Sequence, residues 1–278
     1  MSVMPREMRM KSLLSRRYRC AQLAIIAGFT AMIMVSPVIG AERPNSKALT
    51  DFFSDVVFGA EYKDFTQGSE VIKKWVNPIR ISVSSMTGVV QKKPDGSDDL
   101  KLERQRPPDY PVQMIQKHLK TLVKLTGVVT EDGKKVGKKP NFFIKLVPQL
   151  AMSAPFLVPN ADPKLLRRLA TPGVCYFLSA AVEGEIVWAT IIVNGELPND
   201  RMEACLLEEM TQALGLPNDS DVVQPSIFNQ RSVRRSLSRN DIILIATLYD
   251  EQLTPGMPAK EAISIADGII SHLNEALK

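Results

Sequence analysis

The chain has 278 residues, enough for one large domain or two small ones with a buried core. Its formal net charge is +5, but residues 1–41 carry six basic residues and one acidic residue, and the remainder holds 29 of each kind. A neutral remainder predicts no nucleic-acid partner, because such a partner requires a basic face or stripe on the folded part.

The N-terminal segment predicts a secretory signal peptide. Basic residues continue to Arg19, an apolar run covers residues 23–39, and the small residues Gly40 and Ala41 offer a cleavage point. We therefore expect a leader at 1–41, a single domain at 42–278 with its core at about 50–260, and a periplasmic or secreted location. The alternative is a leader that stays uncleaved and anchors the protein in the inner membrane, which would be its only membrane contact.

The cysteine count agrees with secretion. Cys20 belongs to the leader, so Cys175 and Cys205 remain as an even pair in an oxidising compartment. This pair predicts a disulfide. The alternative is a pair of thiolate metal ligands, although no CxxC motif or histidine cluster accompanies them.

The first half of the remainder predicts alternating helices and strands. From the apolar spacing and the turn residues we expect a helical or irregular start at 45–63, a helix end at 69–75, a strand at 78–83, a surface loop at 91–108, an amphipathic helix at 112–125, a strand at 141–147, and an irregular segment at 148–173 with a short helix near 163–169.

The second half contains the clearest strand signal. Two runs rich in β-branched and aromatic residues, 174–181 and 186–193, flank Glu183 and Gly184 and predict a hairpin. We take 186–193 as the candidate edge strand. Asp200 is a candidate N-cap for the next helix.

Two further helices are expected near the C-terminus. Ser238 and Asp241 predict a capping box that opens a helix at 241–249. The last helix is expected at 258–277, where apolar residues recur at helical spacing.

The central motif is CLLEEMTQALGL at 205–216. On a helix, Glu208 and Gln212 lie one turn apart on one face, with Glu209 beside them, and Gly215 stands where a left-handed cap ends a helix. This spacing is that of the zinc-peptidase helix H-E-x-x-H-x-x-G, in which the glutamate activates water. Glu209 is thus a candidate general base, while Glu208 and Gln212 stand at the two histidine positions.

The order of the following motifs resembles the metzincin branch of the zincins. Asn218 falls on the third metal-ligand position, residues 225–228 resemble a Met-turn with Phe228 in the methionine position, and LSRNDI at 237–242 with LYD at 248–250 resembles the end of matrixin catalytic domains. The resemblance implies an α+β, zincin-like fold. Its twisted mixed sheet would pack on helices around a central active-site-type helix, with a smaller helical C-terminal part.

A closer resemblance is to a bacterial family of secreted or lipoprotein-like proteins, domain of unknown function 2927. The matching residues are Cys205, Glu208 and Glu209, Gln212, the LGL at 214–216, Asn218 and Asp219, the SIF at 226–228, and the LTPGM at 253–257. This resemblance covers residues 50–260 and brings no established function.

The residues at the ligand positions do not suit zinc. Glu208, Gln212 and Asn218 supply oxygen donors, which suit Ca²⁺ or Mg²⁺ better, so we predict no metal and no cofactor. We expect a non-catalytic pseudo-peptidase that binds a peptide, protein or glycan of the cell envelope, with Asn218 and Asp219 as binding residues.

Two alternatives to the pseudo-peptidase stay open. One is a divergent hydrolase or peptidase that uses Glu209 as general base. The other is that Glu208, Glu209 and Gln212 are merely polar residues on a half-exposed helix.

Overall fold

The computed structural model describes residues 43–59, 68–92, 94–95 and 98–277. This part of the chain forms six α-helices and five strands. They are α1 (Ser46–Phe58), β1 (Ile81–Lys92), β2 (Asp98–Gln105), α2 (Asp109–Thr126), β3 (Phe142–Val147), α3 (Pro163–Ala170), β4 (Cys175–Val182), β5 (Glu185–Asn194), α4 (Asn199–Gln212), α5 (Arg239–Leu248) and α6 (Ala259–Ala276). No helix within these residues is both long enough and apolar enough to cross a membrane.

The strands form one mixed sheet in the order β2-β1-β3-β5-β4. Strands β1, β3 and β5 are parallel, whereas β2 and β4 pair antiparallel at the two edges. The predicted α+β class with a mixed sheet is confirmed. The hairpin is confirmed too: Glu183 and Gly184 join β4 to β5 with φ of 51° and 84°, as a tight two-residue turn requires.

The edge strand differs from the prediction. Residues 186–193 were expected at the edge, but they lie in β5, between β3 and β4, and the edge strand is β4. The physical reason is visible in the sequence, because IVWATIIV is an almost continuous apolar run, which is typical of a strand buried on both faces. In β4, by contrast, exposed and half-buried residues predominate.

Two hydrophobic clusters cover the two faces of the sheet. The larger cluster joins α1, α2, α4, α5 and α6 to one face, with Phe52, Ile144 and Leu206 fully buried. The smaller one lies on the other face, where residues 148–170 wrap over Tyr176 and Ile192. Both faces of the central strands are therefore covered, and Arg43–Lys278 form one compact unit.

Two segments were predicted wrongly. Residues 91–108 were expected to be a surface loop, yet they contain the end of β1 and all of β2. The charged residues here belong to an edge strand, where charge discourages pairing with another chain, and Leu102 packs on the smaller core. Residues 69–75 do not end a helix but run extended, with bridges from Val71 to Pro258 and from Lys74 to Glu185.

One of the two helix N-caps predicted from the sequence is present. Ser238 and Asp241 form the predicted capping box at the start of α5. Asp200, however, does not cap α4: the helix begins after Pro198 without a side-chain cap, and Asp200 lies in its first turn. The last helix, α6, matches the prediction to within two residues.

His118 lies in the interface between α2 and α4 and is only 2% exposed. Its Nε2 atom makes no hydrogen bond to any of the described residues. Burial, helped by the neighbouring Lys117 charge, lowers the pKa of His118 to about 4. The folded protein therefore holds this imidazole in its neutral form.

This histidine predicts a pH dependence of stability. The unfolded chain takes up the proton near pH 6.5 and the folded protein only near pH 4, so stability present above pH 6.5 is lost as the pH falls through this range. The loss is about 3 kcal/mol. Urea unfolding across this range should show it, and His118→Gln should flatten the profile, whereas His272→Gln on the exposed side of α6 should not. An unchanged profile in His118→Gln would contradict the assignment.

Candidate functional site

The apolar side of helix α4 packs in the protein core. The helix is followed by a glycine that lies close to the backbone of a distant segment. Leu206, Leu207 and Met210 are buried in the larger core. The helix ends at Gln212, and Gly215 follows with φ of 112°. A Cβ at this glycine would lie 2.1 Å from the carbonyl oxygen of Lys73, so only glycine allows the chain to turn here. The turn carries the chain back toward the face of α4 that bears the motif.

A cleft of about 310 Å³ separates α4 from the edge strand β4. Its helical wall is formed by residues three or four positions apart on one face of α4. The lining residues from α4 and the following loops are Arg201, Ala204, Cys205, Glu208, Glu209, Gln212, Asp219, Gln230 and Ser232, and those from α3 to β4 are Leu169, Pro172, Val174, Cys175, Tyr176 and Phe177.

The structure brings four of the predicted polar residues together in this cleft. Glu208 is half-buried and Glu209 is 7% exposed. Gln212 donates a hydrogen bond from Nε2 to Oδ1 of Asp219 at 2.8 Å. One end of the cleft therefore carries three carboxylates and an amide, while Arg201 lies seven residues before Glu208, about 10 Å along the helix axis.

Asn218 lies elsewhere. It is 6% exposed, and both its backbone N–H and its Nδ2 donate to the carbonyl oxygen of Val56 at 3.1 Å. This residue fastens the loop to the end of α1 and is not part of the cleft lining. Asp219, the next residue, supplies the side chain that faces Gln212.

Within the described residues, no three histidine, cysteine, aspartate or glutamate side chains lie where they could share an ion. Tyr176 offers no acid either, because its hydroxyl donates to the Met152 carbonyl at 2.6 Å and burial raises its pKa. The described lining of the cleft carries hydrogen-bond acceptors on Glu208, Glu209 and Asp219 and donors on Arg201 and Gln230.

The predicted disulfide is present and joins the two walls of the cleft. Cys175 is the first residue of β4, Cys205 lies in the middle of α4, and the bond connects residues 30 positions apart. The alternative, two thiolate metal ligands, is thereby excluded for this pair. The bond fixes the distance between the edge strand and the helix at the level of Glu208 and Glu209.

Breaking this bond is expected to lower the free energy of unfolding by on the order of 3 kcal/mol, because a closed loop of this length restricts the unfolded chain. Thermal unfolding with and without a reductant measures the effect, which should be roughly 10 °C for a domain of this size. The double variant Cys175→Ser/Cys205→Ser is the control and should not respond to the reductant. Equal midpoints for the oxidised and reduced wild-type protein would contradict a stabilising role.

A buried hydrogen-bond network holds the loop that carries Asp219. Asp241, which is fully buried, accepts hydrogen bonds from Ser226 Oγ at 2.5 Å and from the N–H of Ile227 at 3.1 Å. The next carbonyl, of Phe228, accepts from the N–H of Ser220 at 2.8 Å. Ser220 follows Asp219 in the chain. Through residues 226–228, helix α5 therefore positions the loop that carries Asp219.

Sequence reasoning missed the residues that β4 and the loop after residue 229 contribute to the cleft. Phe177 and Gln230 line it but belong to no motif, and the same is true of Arg201 at the start of α4. The hairpin pattern placed Phe177 on a strand, but only the strand order shows that this strand is the wall opposite α4.

The comparison with protein families gives one match. The profile described as "Protein of unknown function (DUF2927)" matches residues 46–267, which is most of the chain. No curated protein and no solved structure matches the sequence.

Proposed function

Since the chain belongs to the DUF2927 family of proteins of unknown function, we propose that it is a non-catalytic, zincin-like pseudo-peptidase whose cleft between α4 and β4 binds an extended peptide. The observation that carries the proposal is the cleft itself. A helix with the spacing E-E-x-x-Q-x-x-G faces an edge strand across it, and the residues at the two histidine positions of the zinc frame, Glu208 and Gln212, line it.

The free edge of β4 supports a peptide as the ligand. Val174 accepts a hydrogen bond from the N–H of Asn194 in β5. Because pairing alternates along antiparallel strands, the N–H and C=O groups of Cys175 and Phe177 are directed away from β5, toward the open edge. An extended segment can add to such an edge as a further strand, with its side chains reaching the helix.

The zincin relationship is supported by features outside the cleft. The LSRNDI segment supplies Asp241, whose contacts to Ser226 and Ile227 hold the segment that resembles a Met-turn. Phe228, at the methionine position, is fully buried. We infer that the scaffold is kept while the nitrogen ligands that zinc prefers are replaced.

A periplasmic or secreted location is part of the proposal. The disulfide supports it, because such bonds persist in oxidising compartments. The expected leader at 1–41 lies outside the described residues. We further propose that the ligand comes from a protein of the cell envelope, with a glycan as the alternative.

A peptide-display selection against the purified, oxidised protein tests the function. We expect enriched extended peptides that are recovered intact and that lose binding when alternate backbone nitrogens are methylated. Glu208→Ala should weaken binding about tenfold, which is the loss of one charge-assisted hydrogen bond. Asp200→Ala, an exposed acid on the same helix outside the cleft, is the matched control. Failure to enrich any peptide would reject peptide binding.

The second candidate is a hydrolase that uses Glu209 as general base. It is favoured by one observation, the placement of the nearly buried Glu209 side chain in the cleft wall. Cleavage of selected peptides that disappears in Glu209→Ala would establish it in place of the pseudo-peptidase. Elemental analysis of protein purified without chelator is the companion measurement, and stoichiometric zinc would also reject the non-catalytic proposal.

A further inference from the structure

A second concave site lies on a different side of α4. It is lined by Lys117 from α2, Glu203 from α4, and Arg234, Arg235 and Ser236 from the loop before α5. None of these residues lines the cleft with the E-E-x-x-Q motif. The side chains of Lys117 and Arg235 are 55% and 58% exposed, so their charges reach solvent at this site.

Glu203 neutralises only part of this positive charge. Its carboxylate is 9% exposed and accepts from Lys117 Nζ at 2.6 Å and from the Tyr110 hydroxyl at 3.2 Å. Burial acts to raise the pKa of Glu203, but these hydrogen bonds outweigh it and the pKa lies below its usual value. Glu203 is therefore a carboxylate at neutral pH and is already held by Lys117.

The positive charges of the two arginines are neutralised only weakly by the described acidic side chains. Arg235 approaches Glu203 only to 4.0 Å, the outer limit of an ion pair. Arg234 forms no ion pair within the described residues, and its buried Nε–H has no acceptor there. The neighbouring His118 is neutral near pH 7, because its pKa is lowered to about 4. Among the described residues that line this site, three cations thus surround one carboxylate, which leaves two positive charges unbalanced there.

We propose that Arg234, Arg235 and Lys117, with the Ser236 hydroxyl, form a binding site for a tetrahedral dianion of the phosphate type. Two unbalanced charges match such a dianion, and guanidinium groups hold its oxygens through paired N–H donors. The same chemistry is offered by free inorganic phosphate and by a phosphate monoester on a larger molecule. The site shares no lining residue with the peptide cleft.

Thermal unfolding titrated with inorganic phosphate, at ionic strength held constant with sodium chloride, tests this site. We expect a saturable rise in the midpoint, because a ligand that binds only the folded state stabilises it. Sulfate should act similarly and acetate weakly. Glucose 1-phosphate is the parallel titrant: tighter binding than inorganic phosphate identifies a monoester as the ligand, and equal binding identifies the free ion.

The variant Arg234→Gln/Arg235→Gln should weaken phosphate binding about tenfold or more. Its matched control is Arg167→Gln/Arg168→Gln, which removes an exposed arginine pair from α3, away from the site. Arg234→Lys/Arg235→Lys keeps the charge and the fold, and should bind with intermediate affinity. The proposal is overturned if phosphate acts no differently from chloride, or if the two glutamine variants lose affinity equally.

Discussion

Phe228→Ala is expected to lower the free energy of unfolding by about 3–5 kcal/mol, the usual loss for a buried aromatic side chain. Phe228 is fully buried in the larger core, where its ring meets that of Phe52 edge-on with centroids 6.2 Å apart. Truncation leaves a cavity in that core, between α1 and the segment that carries the acidic loop. Urea denaturation of the oxidised protein measures the change.

The control for this variant is Phe156→Ala. Phe156 is also aromatic but is 56% exposed, so its truncation should change stability by about 0.5 kcal/mol or less. If Phe228→Ala unfolded at the same denaturant concentration as the wild type, the placement of residues 225–228 under the core would be wrong.

Asp241→Ala is the second variant with a large expected effect, a loss of about 3 kcal/mol or more. Besides Ser226 and Ile227, its carboxylate accepts from the N–H of Ser238 at 2.6 Å, so truncation leaves three buried donors without their acceptor. Each such group costs about 1–3 kcal/mol. Denaturant unfolding measures the loss of stability.

Two control variants distinguish the loss of these hydrogen bonds from a general effect of removing an acidic side chain. Asp200→Ala removes an exposed acid and should leave stability nearly unchanged. Asp241→Asn should be less harmful than Asp241→Ala, because its amide oxygen still accepts from Ser226 and Ile227 while its NH₂ faces the Ser238 donor. Equal losses for the asparagine and alanine variants would show that the charge, and not the accepting geometry, is what stabilises the segment.

Elements whose sequence signals involve only neighbouring residues could be predicted from the sequence. The capping box of Ser238 and Asp241 fixes a helix start within four residues of sequence, and the Glu183-Gly184 pair defines a hairpin, because both depend on nearby atoms only. The same holds for Glu208 and Gln212, whose common face follows from helix geometry. The pairing of Cys175 with Cys205 followed from the cysteine count.

The remaining features depend on contacts between distant residues. Strand order decided that β4 and not 186–193 is the edge, and pairing with β1 turned the charged segment 98–105 into a strand. The sequence selected both Asn218 and Asp219 as binding residues, but only Asp219 lines the cleft, because the Asn218 amide binds Val56, 162 residues earlier. The sequence by itself thus determined the elements with local signals and the shared face of Glu208 and Gln212 on α4. Tertiary packing decided the strand order, the strand at 98–105 and the side chains that meet in the cleft, because a loop follows its long-range hydrogen bonds rather than the spacing of a motif.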